Sequence, residues 1–185
     1  MTVAGDRATH GYALAQNEGE AFWLLGMLET VKLGKSDTNG TSGLVEIVVP
    51  PGVGSPWHVH PEEDEWFYVL EGQVTVYVAA KRFDLTSGGF AFGPKGVPHT
   101  FFCSGSTPAR ALVGFAPMQF EGFLREVGQP TADRVLPPPM DGAPPDIAML
   151  GPIARRAGFI ILGPPGPPAG SDLTPAVRPT TSGGC

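Results

Sequence analysis

Apolar and polar residues alternate with a period of two along much of the first two thirds of the chain. In "GQVTVYV", Val74, Val76 and Val78 alternate with Thr75 and Tyr77, the pattern of a strand with one buried face. Residues 20–34, "EAFWLLGMLETVKLG", are rich in strand formers and end at a glycine, and "KSDTNGTSG" follows with the composition of a loop. "LVEIVVPPG" reads as a strand closed by Pro50, Pro51 and Gly52, because proline cannot donate to a central ladder. Glu71 and Gly72 separate two strand-like runs, as a hairpin turn would. Residues 90–117 give two or three more short strands punctuated by glycine and proline. Short strands with turn signals at this spacing predict an all-β barrel or sandwich.

After Pro117 the period changes. Phe120, Phe123, Leu124 and Val127 fall on one face of a helix, with Pro117 near its start and Gly128 where a helix often stops. Residues 129–145 form a proline-rich connector, and "DIAMLGPIARRAG" gives a second short helix ending at Gly158, interrupted by Gly151 and Pro152. An apolar run, "FIILG", precedes a tail of Gly, Pro, Ser and Thr, expected to be disordered. The chain therefore divides into an N-terminal arm (1–19), a barrel (20–117), a helical and proline-rich extension (118–162) and the tail (163–185). No internal repeat is visible.

Composition narrows the classes. With 185 residues the chain has room for one sizeable domain, and 26 Gly and 21 Pro supply the tight corners of a many-stranded fold. A net charge of -6, with the cations scattered, argues against a nucleic-acid partner. The two cysteines, Cys103 and Cys185, suggest neither a disulfide framework nor a structural zinc site. The first residues lack the apolar core of a signal peptide, and no run reaches membrane-spanning length. A soluble cytoplasmic protein is expected.

The chemistry concentrates in "SPWHVHPEEDEWFYV". His58 and His60, two apart on a strand, aim both imidazoles at one face. Glu65 shares strand parity with Phe67 and Val69, whereas Glu62, Glu63 and Asp64 are expected in a solvated turn. His99, after the turn at residues 94–96, supplies a third imidazole. Three nitrogens and one oxygen suit a divalent transition metal ion such as nickel, cobalt, manganese, iron, copper or zinc, with positions left open for water or substrate. Phe67, and Phe101 on the face shared with His99, are the aromatic residues expected to wall a substrate pocket. His10 reads as a solvated histidine of the arm, and Cys103 as an inert thiol in apolar surroundings.

These residues resemble the cupin family. Its first motif is a glycine, five residues, His-x-His, three or four residues, Glu, six residues and Gly, met here by Gly52, His58, His60, Glu65 and Gly72. Its second is met by Gly88, Pro94, Gly96 and His99, with Cys103 where the family has Asn. That Asn is not a ligand in the family, so the departure concerns a hydrogen bond at the barrel rim. The flanks "GYALAQNEGEAFWLLG", "FEGFLREVGQP" and "ILGPP" are similar to small single-barrel proteins of the quercetin 2,3-dioxygenase type.

The resemblance implies a double-stranded β-helix, a jelly-roll-like barrel with a C-terminal α-helical extension, that forms a homodimer. It also implies a metal held by His58, His60, Glu65 and His99. The expected activity is a metal-dependent dioxygenase acting on a flavonol or similar enolizable aromatic. Glu65 would take the proton of the substrate's 3-hydroxyl, and O2 would open the heterocycle with release of CO. Whether Glu65 is a base as well as a ligand is open at this stage. Two alternatives are a non-oxidative metal-dependent isomerase or polyketide cyclase, and a non-catalytic metal- or ligand-binding barrel.

Overall fold

The computed structural model describes residues 11–139 and 146–165. His10, part of the connector, Cys185 and nearly all of the expected tail lie outside the described residues. In chain order the strands are β1 (Glu20–Leu24), β2 (Met27–Leu33), β3 (Gly43–Val49), β4 (Pro56–Val59), β5 (Asp64–Glu71), β6 (Gln73–Val78), β7 (Lys81–Thr86), β8 (Phe90–Gly93), β9 (His99–Cys103) and β10 (Ala109–Ala116). Helix α1 (Glu121–Val127), β11 (Gln129–Thr131), α2 (Ile147–Arg156) and β12 (Ile160–Pro165) follow. They form a seven-stranded sheet, β11-β1-β2-β3-β10-β5-β8, and a five-stranded sheet, β12-β4-β9-β6-β7, with every pairing antiparallel. The two sheets face each other as an all-β jelly roll.

Alternation builds the interior. In β3, Val45, Ile47 and Val49 point inward, and they meet Phe67 and Val69 of β5, Val74 and Val76 of β6 and Val113 of β10. Each such side chain, removed from water, contributes about 1.5–3 kcal/mol. A second cluster joins Phe22, Leu24 and Val31 to Phe123 and Leu124 of α1, Leu150 and Ala154 of α2, and Phe159. The expected helical face is thus buried over one end of the barrel. Asp146 caps α2 by accepting the N–H of Ala148 at 2.8 Å, and the helix runs through Pro152. Among the described residues no helix is long and apolar enough to cross a membrane.

Three expectations are corrected. Glu71 and Gly72 do not close a hairpin, because β5 and β6 lie in different sheets. The bend carries the chain from one sheet to the other, and Gly72 is required there: its φ is +79° and a Cβ would stand 2.8 Å from the Cα of Ala109. The connector and the final apolar run also contribute strands. β11 pairs with β1, and β12 pairs with β4 through Gly163 and Pro165. Both are outermost strands, where a proline's missing N–H costs no ladder bond. The third correction concerns Glu63, which is fully buried rather than solvated.

Candidate metal centre

Four side chains from three strands and one loop meet inside the barrel. His58 lies on β4 directly opposite His99 on β9, and His60 follows two residues after His58. Glu65 comes from β5 in the facing sheet, opposite Phe115 of β10. All four are buried, and one ligand atom from each lies within 4.8 Å of the others.

The ring nitrogens divide by role. Nδ1 of His58 is 2.7 Å from the Pro56 carbonyl, and Nδ1 of His99 is 2.9 Å from the Val97 carbonyl. Nδ1 of His60 approaches Oε1 of Glu63 to 2.7 Å, a charge contact off the line of an ideal hydrogen bond. With an acceptor beside every Nδ1, the Nε2 atoms are left to face the centre. They converge on a single oxygen, Oε2 of Glu65, at 3.5 Å from His58, 3.3 Å from His60 and 2.8 Å from His99. This donor set of three imidazoles and one carboxylate fits a divalent transition metal ion.

Electrostatics agree with the geometry. Burial pushes His58 down to about 4 and keeps it neutral. Burial also acts most strongly on His60, but Glu63 and Glu65 together outweigh it and raise that imidazole to about 9. Glu65 is driven the opposite way: its burial is overcome by the three histidines, which hold it well below the usual carboxylate range. A proton on His60 thus carries positive charge between two carboxylates, where a cation could carry it instead.

A cavity opens beside the four residues. Phe120, Phe123, Phe159 and Ile161 roof it, and its polar lining is limited to Glu29, Ser55, His58, His60 and Glu65. The space open to the centre of a water molecule is only about 50 Å³, so a flat aromatic must displace part of the roof to enter. Phe101 lines this cavity. Phe67 sits behind it, its ring 6.4 Å from His99 and 5.4 Å from Phe101.

Three further residues complete the site. Glu63 is buried where the acidic run predicts a solvated turn. Phe159, whose ring stacks on His60 at 5.0 Å, arrives only because β12 pairs with β4. Glu29 was visible in principle, because Met27, Glu29 and Val31 share one strand face.

Residues 45–115 match the cupin domain family. The matched stretch runs from β3 to β10 and contains all four residues of the cluster. Cys103, where the family motif has Asn, is buried and donates its thiol to the Thr107 carbonyl at 3.3 Å. The barrel rim is closed there by backbone bonds, Gly52 N–H to the Cys103 carbonyl and Cys103 N–H to the Val53 carbonyl, both 2.9 Å. The chain is 27% identical to quercetin 2,3-dioxygenase of Bacillus subtilis over 68% of its own length, and spans 37% of that protein. It is 29% identical to the tetracenomycin polyketide synthase protein TcmJ of Streptomyces glaucescens, over 58% of this chain and 73% of that one. In three dimensions the fold is similar to that of a predicted oxalate decarboxylase from Thermotoga maritima. The TM-score is 0.54 at 18% identity, covering 57% of this chain and 99% of that one.

Proposed function

We propose that the protein is a metal-dependent dioxygenase of the quercetin 2,3-dioxygenase type. Its substrate would be a flavonol or similar enolizable aromatic, and its second substrate O2. The observation that carries this reading is the convergence of three Nε2 atoms on one oxygen of Glu65 beside an apolar, aromatic-roofed cavity. The likeness to the Bacillus subtilis enzyme supports it.

His58, His60, His99 and Glu65 would hold the ion. When bound, it supplies Lewis acidity that favours the ionised form of a substrate hydroxyl. Glu65, the acid at the centre of the cluster, is the group that would accept that hydroxyl's proton. Phe101 and Phe159 would press a planar ring system into one orientation, and the roof from the C-terminal extension would exclude water during the reaction. In net terms a flavonol and O2 become a depside and CO. The test is O2 consumption and CO release with quercetin by protein loaded in turn with iron, nickel, cobalt, manganese and copper. No consumption with any of them rejects the reaction.

A second reading is favoured by the TcmJ likeness, which extends over 73% of that protein. In it, the same cluster would promote a non-oxidative isomerisation or cyclisation of a polyketide-like substrate. Conversion under strict anaerobiosis would support it against the dioxygenase.

A further inference from the structure

The cavity is lined by two acids, and only one of them belongs to the four-residue cluster. Glu65 lies on β5; Glu29 lies on β2, with β3 and β10 between them in the same sheet. Strand alternation carries Glu29 inward between Met27 and Val31, opposite Phe22 on one side and Ile47 on the other. It is 3% exposed, and its Oε2 is buried without a hydrogen-bond partner in the protein.

An apolar residue would complete this wall at no desolvation cost. A carboxyl kept there against that cost is explained if something entering the cavity pairs with it. We propose that Glu29 is a specificity residue, whose carboxyl hydrogen-bonds a hydroxyl of the bound substrate and selects polyhydroxylated planar aromatics over those lacking the hydroxyl. This rests on the cavity being a binding site for a flavonol-like aromatic. Because Glu29 and Glu65 are separated by two strands, such a ligand presents one oxygen to the cluster and a second to Glu29. Burial, with a smaller contribution from Glu65, raises the Glu29 carboxyl to about 8. Near neutrality it is mostly protonated and can donate as well as accept.

The experiment compares quercetin with 3-hydroxyflavone, which keeps the enolizable hydroxyl and lacks the others. Binding of both is measured by calorimetry on zinc-loaded wild type, E29Q and E29A, where no oxidation interferes, with thermal midpoints recorded alongside. The wild type should prefer quercetin by about tenfold or more. E29A should bring the two ligands within about threefold by weakening quercetin alone, and E29Q should be at least as heat-stable as wild type. Undiminished preference in E29A, equal binding by the wild type, failure of both flavonols to bind, or a destabilised E29Q would each overturn the proposal. Preference that depends on Glu29, without O2 consumption by enzyme loaded with any of iron, nickel, cobalt, manganese and copper, removes the dioxygenase reading and leaves this one standing. O2 consumption with preference independent of Glu29 does the reverse.

Discussion

Oε1 of Glu63 lies 2.7 Å from Nδ1 of His60, while Oε2 of the same carboxylate accepts the backbone N–H groups of Gln119 and Phe120. One buried acid therefore orients an imidazole of the candidate centre and anchors the start of the roof that covers it. Replacing it with Gln preserves shape but removes the charge facing Nδ1. Glu63→Gln is expected to weaken metal binding by about 10–100-fold, the usual cost of losing a partner that orients a ligating histidine. Competition with a chromogenic chelator measures this. Wild-type affinity in Glu63→Gln would show that His60 needs no such partner.

Two buried groups lower the stability of the metal-free protein as pH rises. His60 is raised from 6.5 to about 9 by Glu63 and Glu65 against its burial, so a cation must displace its proton. Apparent affinity should climb by up to about tenfold per pH unit below pH about 9 and level off above it. In metal-free protein the same shift gives stability that is complete below pH 6.5 and disappears as pH rises through about 9. Glu29, raised from 4.5 to about 8 by burial and then by Glu65, acts in the same direction over a lower window: stability is greatest below pH 4.5 and falls until about pH 8. Its share is at most about 5 kcal/mol. Urea denaturation of metal-free protein from pH 6.5 to 9, above the range in which the lowered His58 adds an opposite trend, should show both losses, and E29Q should keep only the His60 part. An E29Q profile that parallels wild type would mean that Glu29 titrates normally.

The four converging side chains were legible in sequence because their spacing is fixed by strand parity and tight turns. His58, His60 and Glu65 sit within eight residues, and Pro94 and Gly96 mark where His99 begins its strand. The residues that complete the site depend on long-range packing. Nothing near Glu63 in sequence says that Gln119 and Phe120 will return to it from 56 and 57 residues away. Phe159 reaches His60 only after β12 has paired with β4. The hairpin reading of Gly72 failed for a similar reason: a glycine at positive φ marks a sharp turn but not which sheet the next strand joins.

The outer face of β5 and β8 carries an aromatic patch. Tyr68 stands opposite Phe90 and Trp66 opposite Phe92, and Tyr68, Phe90 and Phe92 are 43%, 57% and 47% exposed. Among the described residues β8 is the last strand of its sheet, and an edge strand can pair with another strand. A second copy of the chain fits both features and agrees with the homodimer expected from the cupin resemblance. Sedimentation should give a dimer for wild type and a monomer for a Phe90→Asp/Phe92→Asp double variant. A monomeric wild type would leave the patch without this role.

Leu25 joins the strain of a turn to the wall of the cavity. It and Gly26 form the two-residue link between β1 and β2, with φ of +50° and +84°. Such links favour Asn-Gly, because a leucine in the left-handed region costs about 1–2 kcal/mol. Yet the Leu25 side chain packs against both apolar clusters and lines the cavity. Relief of backbone strain therefore competes with loss of buried contact, and the half-buried position of Leu25 limits what its side chain can contribute. Leu25→Asn should raise the thermal midpoint by a few degrees, on the order of 1 kcal/mol, while weakening flavonol binding several-fold. A higher midpoint with unchanged binding would make Leu25 a matter of the turn alone, and a lower midpoint would mean that its packing outweighs the strain.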